Sequence, residues 1–563
     1  MNKKINILPI IITCLFSITG CTKLNEQILD ESSVANMTQK QIAESLIAPV
    51  YAKLPDIFLH TNYFALQEIP TDEAILPYRG GTDWYDGGIY ITSHKHEFLT
   101  SDKNINATWI LLFQSISRSI SAINQLPEVN DPSAKTFIAE ARAMRAYYSM
   151  LSLDLFGLIF TKDDAGQLSK ILRGSEAIEY IKGEFLAAEA DLPTINETHG
   201  RMSKAAVWGM LARLHLNAAV YKDIYSPNFN FASEDMDKVI EYCDKIIGTN
   251  NYQFSPEYFA LFDDNNNTNK EIVFAVDQRS DLNGHNRMAY FSLSGDQFPL
   301  PDYVGANGTD GPAITPDFYR SWADFYAPND PKIDPRFYKE NLSRYSDPAN
   351  NCVPAAQFYI NRGILRGQQY GLKKKDGVFL KCPNGDMLVD SLFHASRSKP
   401  TLPVYFTEKV DFTLEGSNYP SGYRVSKYMF SRKSVSGRNF GEANIVILRL
   451  ADIYMMRAEA KLRKSNDANA ALADVNTVRA SRTARQAPPA LTSIDLNALF
   501  RERGFEFYWE CLRRTDMIRF GKYEGTWTEK TNTNPKKRIF PIPQAAMDGA
   551  SSLKDYLKQN DSY

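Results

Sequence analysis

Several clusters of polar side chains along this chain have residue types that could do chemistry. His94 and His96 stand at i and i+2 with Glu97 beside them. On a strand that spacing puts two imidazoles on one face, where they could share a metal. No third ligand is placed, and hydrogen-bonded or surface histidines are the better reading. Asp263, Asp264, Asn265, Asn266, Asn267 and Asn269 form an oxygen-rich stretch suited to a hard cation. It fails the EF-hand pattern, with no Gly at the sixth position and Phe274 where the bidentate Glu belongs, so a solvated turn and no metal are expected. Glu502, Glu506 and Glu510 recur every four residues. Paired carboxylates hydrolyse glycosidic bonds only when they flank the sugar, and a ladder on one helix face does not. With Arg501, Arg503, Arg513 and Arg514 close by, a salt-bridged structural helix is expected. GxGxxG, P-loop, GxSxG and HExxH motifs are absent, and no cofactor is expected.

The segment Gly80-Gly-Thr-Asp83-Trp84-Tyr85-Asp86-Gly-Gly88 is more informative. Glycines at both ends make a loop that sets two aromatic rings between two acids. Aromatic faces pack on the C–H faces of a sugar ring, and carboxylates accept its hydroxyl hydrogens. The competing reading is a loop whose Trp84 only plugs the core.

Helices must position this loop. Phe137, Ala141, Met144, Tyr148, Leu151 and Leu155 form one apolar stripe over 133–155, with Gly157 as the stop. Further helices are expected over 202–220, capped by Ser203, and over 443–463 and 494–513. Shorter ones are expected near 40–53, 106–126, 174–191, 234–247 and 468–482. Alanines beside Tyr147, Tyr148 and Trp208 let helix axes approach closely, as tetratricopeptide-type hairpins do, although no strict 34-residue period is present. Residues 250–440 are rich in Gly, Pro and Asn, with Glu271–Val276 as a buried strand.

With 563 residues the chain can bury a large core. Lys and Arg number 64 against 66 Asp and Glu, which argues against a nucleic-acid-tracking surface. Aromatics make up 12%, which excludes a disordered chain. Lys3 and Lys4 precede an apolar stretch from Ile5 to Ile18 that is too short to span a bilayer. It ends in Ile18-Thr-Gly-Cys21, which is similar to a bacterial lipobox. The expectation is cleavage after residue 20 and a lipid on Cys21; the alternative is an ordinary signal peptide. Cys243, Cys352, Cys382 and Cys511 are widely spaced, with no CxxC. Most are expected as buried thiols, and a Cys352–Cys382 bond is left open.

The helical motifs together resemble the SusD/RagB family of nutrient-binding outer-membrane lipoproteins. The resemblance is carried by Phe137-Ile-Ala-Glu-Ala-Arg-Ala-Met-Arg-Ala-Tyr-Tyr148 with Asp154-Leu-Phe-Gly157, and by Arg201-Met-Ser-Lys-Ala-Ala206. It continues in Leu448-Arg-Leu-Ala-Asp-Ile-Tyr-Met-Met-Arg-Ala-Glu-Ala460 and Val475-Asn-Thr-Val-Arg-Ala480. Glu502-Arg-Gly-Phe-Glu506, Arg514-Thr-Asp-Met-Ile-Arg-Phe-Gly521 and Phe540-Pro-Ile-Pro-Gln544 complete it in the family's order.

The resemblance implies a mainly α, SusD-like fold of degenerate tetratricopeptide-like hairpins with a loop-rich, minor-β binding region. Its expected parts are a signal peptide at 1–20, a helical region at 21–250 with a binding loop near 67–98, an irregular region at 251–440 and a C-terminal helical region at 441–563. It implies a surface lipoprotein that binds an oligosaccharide without altering it and passes it to a SusC-like, TonB-dependent transporter. Trp84 is expected as the stacking platform, Asp83 and Asp72 as hydroxyl acceptors, and Tyr85, Arg362 and Tyr370 as further contacts. A peptide-binding member of the family and a glycoside hydrolase are the alternatives. The stretch after Cys21 departs from the family's usual acidic export signal, being only mildly acidic.

Overall fold

The computed structural model describes residues 37–80, 84–162, 167–278, 287–432 and 442–563. Cys21, Asp83 and the signal segment lie outside them. The principal helices are α1 (Gln39–Tyr51), α2 (Lys103–Gln125), α3 (Ser133–Phe156), α4 (Gly174–Glu189), α5 (Lys204–Leu216) and α6 (Ser233–Gly248). After a long loop-rich stretch come α7 (Pro316–Tyr326), α8 (Leu450–Ser465), α9 (Ala468–Ala480), α10 (Leu496–Phe507) and α11 (Arg513–Arg519).

The helices stack in succession. α2 packs on α3, α3 on α4, α5 on α6 and α6 on α8, which then packs on α9. Small residues on α3 allow this: Ala141, Ala143 and Ala146 are fully buried beside Tyr147 and Tyr148. α3 ends at Gly157, and Ser203 caps α5 by accepting from the Ala206 N–H at 3.2 Å. One apolar core runs from Ala43 to Ile542, so the N- and C-terminal helical regions share it. Among the described residues no helix is long and apolar enough to cross a membrane.

The structure corrects two expected helices. The segment over 443–463 begins as a strand: Ile445–Arg449 pairs antiparallel with Ile272–Val276, and α8 starts at Leu450. Ile445, Val446 and Ile447 are β-branched, and Ile445–Leu448 is buried on both faces, which suits a strand. It lies so close to α5 that a Cβ at Gly209 would come within 2.2 Å of Leu448. The segment over 494–513 breaks after Phe507, because Trp509 (φ 65°) and Cys511 (φ 61°) take the left-handed conformation. Their N–H groups are accepted by carboxylates 436 and 443 residues away, Glu73 on Trp509 at 2.7 Å and Glu68 on Cys511 at 2.5 Å.

Burial pushes the Glu73 carboxyl up to about 8, and burial with the neighbouring Glu73 charge pushes Glu68 up too. A carboxyl raised in the folded state contributes stability below its unfolded value of 4.5, and loses it as pH rises through about 8. The Glu73 contribution to stability towards urea is therefore expected to decline from pH 5 to pH 8, opposite in sign to that of the buried histidines His94 and His394, whose lowered pKa values make their contribution rise with pH. Glu73→Gln keeps an acceptor for the Trp509 N–H and should flatten that slope. Identical slopes for both proteins would remove Glu73 as the cause.

The loop-rich stretch carries a satellite core of Phe298, Leu342, Val353, Phe358, Leu372, Met387 and Val389. A three-stranded antiparallel sheet covers it, with Met387–Ser391 between Tyr370–Leu372 and Cys352–Val353. Cys352 and Cys382 form a disulfide there, while Cys243 and Cys511 are buried free thiols.

Candidate functional site

The chain reaches the candidate face through a short antiparallel pair, Ala74–Ile75 with Ala313–Ile314. Ile75, Ile91, Ala313, Val410 and Phe412 make a small core beneath it, and Tyr78 packs on that core. Residues 78–80 and 84 are then held by three contacts. The Trp84 indole N–H donates to the Thr309 carbonyl at 2.8 Å. The Ser417 N–H donates to the Tyr78 carbonyl at 2.6 Å. Gly416 lies against Gly80, so close that a Cβ there would sit 2.9 Å from the Gly80 Cα.

Arg79 locks these loops from below. It is 2% exposed, and its guanidinium donates only to backbone carbonyls: Asp310 at 3.2 Å, Gly311 at 3.1 Å, Asn418 at 3.3 Å and Ser421 at 2.6 Å. Burial pulls its proton affinity down.

The upper surface of this frame is aromatic. Tyr85 is 41% exposed, and its ring lies 4.9 Å from that of Tyr78. Tyr303, 36% exposed, stands on the loop that runs to Thr309, with its ring folded back over Gly305. A cavity of about 620 Å³ opens between Ser398–Leu402 and Gly416–Asn418, the latter segment being bound to Tyr78 and packed on Gly80. Its wall carries the hydroxyls of Ser398 and Thr401, the Asn418 amide and the Lys399 ammonium, while the Ser417 hydroxyl is turned inward. Such a surface offers ring faces and hydroxyl partners to a polar, flat-sided ligand.

The expected residues are only partly brought together. Tyr85 is on this face. Trp84 is half-buried, with edge contacts to His60, Tyr90 and Phe291 at 5.4, 5.9 and 6.5 Å, and its main visible work is joining two loops. Asp72 is not available to a ligand: it is 4% exposed and holds Arg513 with two bonds of 2.7 Å. Arg362 likewise faces inward, bonded to Asp263 at 2.6 Å and to the Lys427 carbonyl, with its charge over the Phe259 ring. Tyr370 sits half-buried against the satellite core. Tyr303 escaped the sequence reading, although Pro301-Asp-Tyr-Val-Gly305 shows the same signal as the 80–88 loop, an aromatic between turn residues.

The other clusters are structural. His94 contacts the carbonyls of Ile69 and Thr528, both at 2.8 Å, and burial pulls its pKa to about 3. His96 lies between the Pro70 carbonyl and the Asn532 amide, stacked on Tyr523. The Asp263–Asn269 stretch is a turn with Asn265 and Asn267 exposed to solvent, anchored by Asp264, which accepts from the Arg432 N–H, and by Asn266, buried between Leu261 and Asn444. No group of three or more His, Cys, Asp or Glu able to hold a metal occurs among the described residues. Glu502 and Glu506 are consumed in buried ion pairs, but with Arg336, Arg449, Arg479 and Arg482, not the arginines next to them in sequence. Glu510 lies beyond the end of α10, where Lys427 and Arg449 reach it.

A stacked helical scaffold carrying a loop-rich face with exposed tyrosines defines the class of mainly α, helical-hairpin folds. The SusD family profile matches residues 228–563, more than half the chain, and the protein belongs to that family. The starch-binding protein SusD of Bacteroides thetaiotaomicron is 25% identical over 506 residues, 88% of this chain and 81% of that one. Among solved structures, surface glycan-binding protein A from Bacteroides fluxus matches with TM-score 0.64 at 17% identity, over 93% of this chain and 100% of that one. Surface glycan-binding protein A from Bacteroides thetaiotaomicron, in complex with laminarihexaose, matches with TM-score 0.62 at 16% identity, over 92% of this chain and 99% of that one. These structural likenesses establish the mainly α, SusD-like fold.

Proposed function

We propose that the protein binds an oligosaccharide on the face formed by Tyr78, Tyr85 and Tyr303, leaves its bonds intact, and passes it to a SusC-like, TonB-dependent barrel. Lipid on Cys21 would hold it to the outer membrane, as the lipobox-like segment implies. The observation that carries this reading is the pair of exposed tyrosines, Tyr85 and Tyr303, on segments fastened to each other by the Trp84–Thr309 bond, together with an open, hydroxyl-bearing cavity whose Gly416–Ser417 wall is bound to Tyr78 and Gly80. Related proteins named for starch binding and crystallised with laminarihexaose support the ligand class. Trp84 contributes whatever part of its ring remains exposed, and Asp83 stays a proposed hydroxyl acceptor.

Isothermal titration against an oligosaccharide identified on a glycan array tests the reading. Tyr85→Ala and Tyr303→Ala should each weaken binding by about 1–3 kcal/mol, the scale for covering a large side chain. Unchanged affinity in both variants would move the site elsewhere. Release of reducing ends by the purified protein would favour the hydrolase. A blank array with co-purifying peptides would favour the peptide-binding alternative.

A further inference from the structure

We infer that the oligosaccharide taken on this face carries negative charge, as uronate carboxylates or sulfate esters. This rests on the proposed glycan-binding reading and adds the ligand's charge to it. The cavity beside Tyr78 has one charged wall residue, Lys399, among hydroxyls and an amide. Lys399 is exposed, and no carboxylate lies within ion-pair distance of it among the described residues. Its ammonium instead stands 5.1 Å over the Tyr419 ring, and the Arg397 guanidinium stands 5.6 Å from the same ring.

The layer behind the cavity is also cationic. Arg79 is buried with only carbonyls as partners, and His394 is buried with neither ring nitrogen hydrogen-bonded. The acids in this layer are already engaged. Asp310 accepts from Arg397 at 2.8 Å and from the Gly295 N–H at 3.0 Å. Asp296 accepts from the Ser396 N–H at 3.0 Å and hydroxyl at 2.6 Å. Burial first pulls the His394 pKa down to about 4, with Asp310 opposing it and Arg397, Arg79 and Lys399 adding to it, so His394 is neutral at pH 7 and the cationic groups of this layer are Arg79 and Arg397. Glu415 and Asp302 are exposed and are not part of the cavity lining.

Lys399 decides between neutral and acidic sugars. A neutral ring entering the cavity strips water from an ammonium and returns only a neutral hydrogen bond. A carboxylate or sulfate returns a charge-assisted bond of roughly twice the strength. Stacking on Tyr85 and Tyr303 would be common to both ligands, so the charge sets preference and the rings set binding.

The test is an array of uronate-containing, sulfated and neutral oligosaccharides probed with the full chain. Each acidic hit is then repeated as its carboxyl-reduced or desulfated form. The expected hits are acidic, with neutralisation weakening them at least tenfold and 0.5 M salt doing the same. Lys399→Gln should remove most of that preference without shifting Tm. Hits confined to the uronate set or to the sulfated set name the source of the charge. Hits that are all neutral, or acidic hits indifferent to both neutralisation and Lys399→Gln, overturn this inference and leave glycan binding standing. No hit of any kind removes glycan binding and this inference together.

Discussion

Glu506→Ala is expected to destabilise the protein by about 3–5 kcal/mol, the range for removing one partner from a buried ion pair. The Glu506 carboxylate accepts from Arg449 at 2.7 Å, Arg482 at 2.5 Å and Arg336 at 3.1 Å, and all four side chains are at most 1% exposed. Burial alone would raise its proton affinity, but Arg482, Arg449 and Arg336 outweigh it and hold the carboxyl far below the ordinary range. The cluster balances Arg336, Arg449, Arg479, Arg482 and Lys427 against Asp334, Glu271, Glu502, Glu506 and Glu510. Deleting one acid leaves a net positive charge with no route to water. The surface offers the control: Lys238 and Glu241 pair at 2.7 Å but are 50% and 42% exposed, and Glu241→Ala should cost no more than about 0.5 kcal/mol. Urea unfolding followed by circular dichroism measures both. A loss below about 1 kcal/mol for Glu506→Ala would mean that the cluster relaxes around the gap.

Much of the scaffold is legible along the chain because its signals are local. The α3 stripe, the Gly157 stop and the Ser203 cap each depend on residues within one or two turns, and the structure places them as expected. The errors come where distant residues decide. Ile445-Val-Ile-Leu448 continues the helical period of α8, and only pairing with Ile272–Val276 makes it a strand. The turn at Tyr508–Leu512 has no Gly or Pro to announce it, because Glu73 and Glu68 satisfy its N–H groups from the other end of the chain. The same distance effect misleads at the site. Asp72 reads as a free acid until Arg513, 441 residues on, is found to hold it. That Glu502 and Glu506 are structural follows from their one-sided spacing; that Arg336 and Arg449 neutralise them does not. The Cys352–Cys382 bond depends on the satellite sheet bringing two loops together, which spacing alone could not decide.

Arg79 shows how such distant contacts shape function, and Arg79→Met should lower glycan affinity by more than tenfold while costing about 2–4 kcal/mol of stability, since buried carbonyls lose a charged donor. The four carbonyls it serves belong to two separate segments, 310–311 and 418–421, and Arg79 itself begins the 79–85 loop. Methionine fills the volume but donates nothing, so the segments lose the link that sets their spacing. Lysine keeps the charge, but its single compact ammonium lacks the planar fork that reaches carbonyls on both sides. Arg79→Lys should therefore recover part of the stability and little of the affinity. That split separates loop placement from general folding, because a variant damaged only in folding would regain both together. Tyr85 and Tyr303 would keep their chemistry, but the segments that carry them would lose a shared anchor. Titration of Arg79→Met at a temperature where circular dichroism shows it fully folded is the decisive measurement. Wild-type affinity there would mean that the Trp84–Thr309 and Ser417–Tyr78 bonds hold the face without help from below.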